Sequence, residues 1–158
     1  MRIREIKIED NLQIESVIKS TFKELGLPLE GTAYEDIETT RMFESYHEEK
    51  AIYFVIEENG QVKGGGGIKS LSTKDDTICE LQKMYFSNEL RGKGYGQKLL
   101  RICLDAAQKM GYKYCYLETL LELKKAIKLY KKNDFKELKQ PIGYTGHTSC
   151  GVWMLKTI

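Results

Sequence analysis

Proline is nearly absent from this chain: Pro28 and Pro141 are the only two in 158 residues. No proline-rich linker, low-complexity stretch or internal repeat divides the sequence, so one domain spanning 1–158 is expected. An excess of charge is lacking too. Lysine and arginine number 25 against 23 aspartates and glutamates, a net +2. That balance supplies no field to draw in nucleic acid or anionic lipid. Lys124-Lys125 and Lys131-Lys132 fall on an expected exposed helix face, where solvation accounts for them. No apolar run approaches the roughly 18 residues of a membrane span. The opening "MRIREIKIEDN" has no apolar core of a secretion signal, and a cytoplasmic protein is expected. The four cysteines (Cys79, Cys103, Cys115 and Cys150) form no CxxC pair and no finger spacing. Each sits in an apolar segment and reads as a reduced core residue, with neither disulfide nor metal expected.

Periodicity then orders the chain. "RIREIKI" alternates at period two and reads as an opening strand. Leu12, Ile14, Val17, Ile18, Phe22 and Leu25 recur at helical spacing, with Asp10 or Asn11 to cap the start and Gly26 to end it. After the loop "LPLEGTAYED" comes a second helical stretch, "DIETTRMFESYHE". Ala51–Glu57 and Gln61–Leu71 form a hairpin about Asn59-Gly60. Thr77–Phe86 is a strand, and Leu99, Cys103, Ala106 and Met110 mark a helix that Gly111 ends. A strand (Tyr112–Thr119), a helix ("ELKKAIKLYKKN") and two closing strands (Phe135–Leu138, Val152–Lys156) complete the order. Strand–helix–strand after a meander implies an α/β (α+β) fold with a mixed sheet flanked by helices. Parallel pairing is expected between Thr77–Phe86 and Tyr112–Thr119.

Between that strand and that helix lies "NELRGKGYGQKLL", with Gly92, Gly94 and Gly96 at alternate positions. A helix N-terminus offers unpaired N–H groups and the positive end of the helix dipole, an anion site in the making. Glycines let a phosphate approach the backbone; Arg91 and Lys93 add charged donors. The dinucleotide fingerprint G-x-G-x-x-G fails because position 97 is Gln. The P-loop pattern fails because Gln97-Lys98-Leu99 follows Gly96, with no hydroxyl. R-x-x-G-x-G fits, as Arg91, Gly94 and Gly96.

With these residues the chain resembles the GCN5-related N-acetyltransferase superfamily, in which this loop holds the pyrophosphate of acetyl-CoA. "CELQKMYFSNELRGKGYGQKLL" looks like the family's core strand, loop and helix. "AIKLYKKNDF" looks like its A-x-x-x-Y-x-x-x-G-F signature. The resemblance covers nearly the whole chain. It implies about seven mostly antiparallel strands, about four helices, a central splayed parallel pair, and a homodimer as one assembly open to the chain. Two departures stand out. Asp134 replaces the usual Gly, although Asn133-Asp134 can still make a left-handed helix end. Leu123 replaces an Asn that would hydrogen-bond pantetheine.

The implied reaction moves an acetyl group from acetyl-CoA to a primary amine of a small molecule or protein, by direct attack in a ternary complex. A non-catalytic acyl-CoA-binding module is the alternative. The implied cofactor contacts are the N–H groups of Met84, Tyr85 and Phe86 and the loop residues Arg91, Gly92, Lys93, Gly94, Tyr95, Gly96 and Gln97. Tyr130 matches the family tyrosine that protonates the leaving thiolate; a core tyrosine with a satisfied hydroxyl is the competing reading. As general base, Glu80 shares strand parity with Gln82, Met84 and Phe86, which would aim it at the cleft. Glu118, His147 or water could serve instead. Leu25–Tyr34 and Gln140–His147 are the expected acceptor loops, and neither specifies the acceptor.

Overall fold

The computed structural model describes residues 1–158. Strands β1 (Arg2–Glu5), β2 (Ile52–Glu58), β3 (Gln61–Ser70) and β4 (Ile78–Phe86) form an antiparallel meander. Next to β4 lies β5 (Tyr114–Thr119), in parallel, and β7 (Val152–Thr157) and β6 (Lys136–Glu137) continue antiparallel. The resulting seven-stranded mixed sheet has the order β1-β2-β3-β4-β5-β7-β6. Helices α1 (Asn11–Glu24) and α2 (Met42–Tyr46) cover one face. On the other lie α3 (Tyr95–Lys109) and α4 (Lys124–Lys132). The expected strand number, helix number and parallel pair are all present. No helix is long and apolar enough to cross a membrane.

Local chemistry explains where elements begin and end. The β2–β3 turn puts Asn59 at φ 51° and Gly60 at φ 80°, the double left-handed turn that matches strand twist. In α3, Leu99, Leu100, Cys103 and Ala107 are fully buried on one stripe. At about 1.5–3 kcal/mol per large apolar side chain, that stripe fixes α3 against the sheet and aims its N-terminus at the end of β4. Asp134 sits at φ 65°, so the left-handed end of α4 forms without glycine.

Three expectations are corrected. The opening strand stops at Glu5 instead of running to Ile8. The buried Asp10 carboxylate accepts from Lys7 N–H at 2.7 Å and from the Arg4 guanidinium at 2.7 and 3.0 Å, folding the chain into a short turn. Capping is reassigned as well: the Asp10 side chain is spent on that turn, and Asn11 Oδ1 accepts from Phe43 N–H at 2.8 Å, at the start of α2. The single helix read in "DIETTRMFESYHE" is broken at Arg41 (φ −147°, ψ 60°) into a 3₁₀ turn, Ile37–Thr40, and the short α2. Thr39 and Thr40 hydroxyls donate to the carbonyls of Ala33 and Ile37, both at 2.7 Å, a side-chain competition that disfavours continuous helix.

Four consecutive glycines, Gly64–Gly67, occupy the middle of β3. A Cβ at Gly67 would sit 2.4 Å from the Ile52 carbonyl and 2.6 Å from the Tyr53 ring. The run therefore makes room for Tyr53, whose ring lies across β3.

Candidate active site

Strands β4 and β5 are paired only at Ile78–Tyr114, Cys79–Cys115 and Glu80–Tyr116. From Leu81 onward they part. A β-bulge marks the parting: Gly65 pairs with Tyr85 and Gly67 with Gln82, so Gly66 faces both Lys83 and Met84. Lys83 adopts φ 51°, a left-handed conformation costing a non-glycine residue on the order of 1–3 kcal/mol. The buried Tyr53 hydroxyl donates to the Lys83 carbonyl at 2.7 Å and holds the bulge in place.

That bulge overturns one sequence argument. Two successive side chains, Gln82 and Lys83, point to the α1 face, and alternation then resumes with the opposite parity. Met84 and Phe86 pack toward α3, while Tyr85 packs at a tilt against Phe22, centroids 5.2 Å apart, on the α1 side. Glu80 therefore faces away from Met84 and Phe86. It still reaches the cleft, whose walls include Glu80, Gln82, Lys83 and Tyr85 from β4 and Glu118 and Leu120 from the β5 side. Leu123 lines the same cleft with an apolar side chain.

At the mouth of the split lies the glycine loop. Gly92 and Gly94 have φ of 75° and 82°. Nothing within 4 Å opposes a Cβ at either position, so backbone conformation rather than crowding demands glycine there. Gly96 differs: a Cβ would come within 3.2 Å of Leu129, so this glycine lets α3 approach α4. The backbone N–H groups of Gly92, Gly94, Tyr95, Gly96 and Gln97 have no acceptor within the protein. Together they form a cradle of donors at the positive end of a 15-residue helix, the fit expected for a pyrophosphate. Lys93 is exposed beside them. The Gln97 side chain is turned aside into a reciprocal amide pair with Asn133, at 2.7 and 2.9 Å.

Arg91 is placed otherwise than as a free phosphate donor. Its Nε donates to the Phe86 carbonyl at 2.9 Å, and its two terminal nitrogens donate to the Glu24 carboxylate, both at 2.9 Å. The guanidinium thus ties the loop to the end of β4 and to α1.

Tyr130 packs edge-on against Phe135, with centroids 5.8 Å apart. Burial raises its phenol well above the usual range, which keeps the proton on the oxygen. Ser87 Oγ is the one buried side-chain polar atom left without a partner, so the Tyr130 hydroxyl, which has no side-chain hydrogen bond, is not sealed off.

Glu80 is 4 % exposed, and burial pushes its carboxyl up to about 7 against the opposing hydrogen bond from Gln82. Gln82 Nε2 donates to Glu80 Oε2 at 2.5 Å while its Oε1 accepts from Tyr46 at 2.7 Å. The other two base candidates are more committed. Glu118 accepts from Tyr116 and Thr145 hydroxyls, both at 2.6 Å. His147 Nε2 lies 2.8 Å from Asp36 Oδ2. Burial would lower the imidazole, yet the Asp36 hydrogen bond and charge prevail and raise it.

Sequence reasoning missed Asp36 and Lys83. Lys83 Nζ lies 3.0 Å from Asp36 and 3.4 Å from Glu38, with its side chain only 1 % exposed. Burial alone would raise the Asp36 carboxyl, but His147 and Lys83 hold it below the usual carboxylate range. A lysine inside the apolar strand "TICELQKMYF" is the signal that was available; Asp36 carried none. A pocket of about 240 Å³ adjoins the cleft through Glu80, Lys83 and His147 and reaches Lys69 and Tyr144. It is bounded by Tyr144, Thr145 and His147 of the Gln140–His147 loop and by Asp36–Glu38, just past the Leu25–Tyr34 loop.

Known proteins share this architecture. The pattern of the Acetyltransferase (GNAT) family matches residues 16–135. The uncharacterised N-acetyltransferase YjgM of Escherichia coli (strain K12) is 40 % identical over 157 residues, covering 99 % of this chain and 94 % of that protein. A GNAT-family acetyltransferase structure from Staphylococcus aureus Mu50 superposes with a TM-score of 0.85 at 18 % identity, covering 99 % and 98 % of the two chains. The yncA putative acetyltransferase of Salmonella typhimurium, solved with its cofactor acetyl-CoA, gives 0.77 at 20 % identity, covering 99 % and 93 %. With family pattern, full-length relative and fold in agreement, this chain belongs to the GNAT acetyltransferase family.

Proposed function

We propose that the protein is an acetyl-CoA-dependent N-acetyltransferase that acetylates a primary amine of a small molecule or protein by direct attack in a ternary complex. The observation that carries this reading is the placement of two features along the unpaired stretch of β4. A cradle of free N–H groups follows its end, and a buried carboxyl pushed up to about 7, that of Glu80, stands where β4 parts from β5.

The donor supplies an acetyl group activated as a thioester. Gly92, Gly94, Tyr95, Gly96 and Gln97 hold its pyrophosphate through backbone N–H groups, with Lys93 adding charge. Arg91 keeps that loop in register by binding Glu24 and Phe86. Past Glu80 the β5-facing edge of β4 has no strand partner, and Met84, Tyr85 and Phe86 there meet the pantetheine arm. Glu80 takes the proton from the amine, directly or through water. A free alkylammonium ionises near ~10, and a carboxylate at about 7 suits a base working near neutral pH. Tyr130 keeps its proton until it passes it to the departing thiolate.

The test is free-thiol release from acetyl-CoA against a panel of small amines and peptide N-termini. At least one amine accelerates release over the no-amine rate in the wild type, and Glu80→Gln abolishes the gain. If no amine accelerates release while acetyl-CoA still binds, the non-catalytic binding module replaces this reading.

A further inference from the structure

A second chemistry is built into the wall of the cleft, on the acceptor side and apart from the glycine cradle. Cys150 is the one cysteine outside the core: Cys79, Cys103 and Cys115 are wholly buried, whereas Cys150 is part-exposed and lines the cleft. Residues 147 to 150 form a turn closed by Cys150 N–H donating to the His147 carbonyl at 3.1 Å. This turn brings the imidazole and the thiol to the same side. Pairing of β5 with β7 sets Glu118 beside them. A ring nitrogen of His147, the Cys150 sulfur and a Glu118 carboxylate oxygen all lie within 4.8 Å of one another. His147 Nδ1 is 3.8 Å from Glu118 Oε2.

We infer that Glu118, His147 and Cys150 form a site for one divalent transition-metal ion of the zinc class. Around a tetrahedral zinc, with bonds of about 2.0–2.3 Å, ligand atoms stand roughly 3.3–3.8 Å apart. The observed separations reach that spacing after a contraction of about 1 Å, within the range of side-chain rotation. A soft sulfur with an imidazole and a carboxylate is a donor set for zinc rather than for magnesium or calcium.

An independent feature points the same way. Metal-bound histidines donate their distal N–H to a carboxylate, and ligating carboxylates are themselves hydrogen-bonded. Here Asp36 receives His147 Nε2 at 2.8 Å, which leaves Nδ1 as the free donor atom. Glu118 is oriented by the hydroxyls of Tyr116 and Thr145, both at 2.6 Å. Three protein ligands leave a fourth position open to water or to an incoming group. Binding replaces the Cys150 thiol proton with a sulfur–metal bond and releases that proton to the buffer. Nothing in this site depends on the acetyl-transfer reading.

The experiment is titration of the full-length chain with cobalt(II), kept reduced by a reductant that has no thiol, followed by zinc competition. One equivalent of cobalt is expected to give the intense bands of a tetrahedral site together with thiolate-to-cobalt charge transfer, and zinc is expected to erase both. Cys150→Ser and Cys150→Ala, each checked for native circular dichroism, lose the charge-transfer band. Cys79→Ser retains it. Asp36→Asn weakens zinc binding by roughly 10–100-fold. The inference is overturned if the wild type shows no charge-transfer band, or if the band survives in whichever Cys150 variant folds.

Discussion

Glu80 is held in a place that disfavours its charge. Burial costs the carboxylate its solvation, and Gln82 returns only one hydrogen bond. With the folded pKa near 7, the base form accumulates as pH rises through that value. In the wild type, kcat/KM for the best acceptor is therefore expected to climb across about pH 7, until another group limits the rate. Glu80→Gln is expected to cut turnover by about 10²–10⁴-fold and to remove that rising limb. The same substitution has a stability signature. An unfolded glutamate ionises near ~4.3, so the native protein binds an extra proton between that pH and about 7 and loses stability as pH rises through the window. Glu80→Gln should raise Tm at pH 8 and change it little at pH 4, as thermal denaturation at the two pH values would show. Tyr130→Phe tests the acid: turnover on the true acceptor drops while Tm holds within a few degrees, and unchanged turnover would remove Tyr130 from the mechanism. That Glu80 faces the cleft was legible in the sequence, but for a partly mistaken reason. Counting in twos along β4 reaches Glu80 and Gln82 correctly, but the count fails at Lys83, where a left-handed residue inserts the bulge. No propensity scale flags a lysine as left-handed.

Elements carry a different kind of constraint, seen best in the glycines. Gly94 is required by its dihedrals. Gly94→Ala should cost about 1–2 kcal/mol through left-handed strain and raise the KM for acetyl-CoA, because it disturbs the N–H cradle directly. Gly67 is required by its neighbours. In Gly67→Ala the new methyl would meet the Ile52 carbonyl and the Tyr53 ring, an overpacking expected to lower stability by about 1–3 kcal/mol in urea unfolding. Tyr53 also holds the Lys83 bulge, so the damage should reach catalysis. The boundaries of α1, α3 and the β2–β3 hairpin could be read from periodicity and turn residues alone. The break in "DIETTRMFESYHE" could not, because threonine hydroxyls chose backbone carbonyls as partners. Nor could the exchange of caps, in which Asn11 serves a helix 32 positions further along the chain.

For the whole molecule, element order was enough to anticipate the meander and the parallel β4–β5 pair, whereas their separation was implied only by the resemblance to the family. Local patterning does not encode which distant loops meet over the cleft. Asp36 and His147 are 111 positions apart and share a hydrogen bond; Arg91 and Glu24 are 67 apart and share two. Such pairings follow from tertiary packing, and they changed the reading of two residues: Arg91 became an anchor of the loop, and His147 became part of a charged network. On the proposed reading, acetyl-CoA binds in the split between β4 and β5, beside the cradle. Backbone amide NMR of the ¹⁵N-labelled protein, titrated with acetyl-CoA, tests it most directly. Saturable shifts are expected, largest at the N–H groups of Gly92, Gly94, Tyr95, Gly96 and Gln97 and extending to Met84, Tyr85 and Phe86. Absence of binding, or shifts that leave those amides untouched, would contradict that reading.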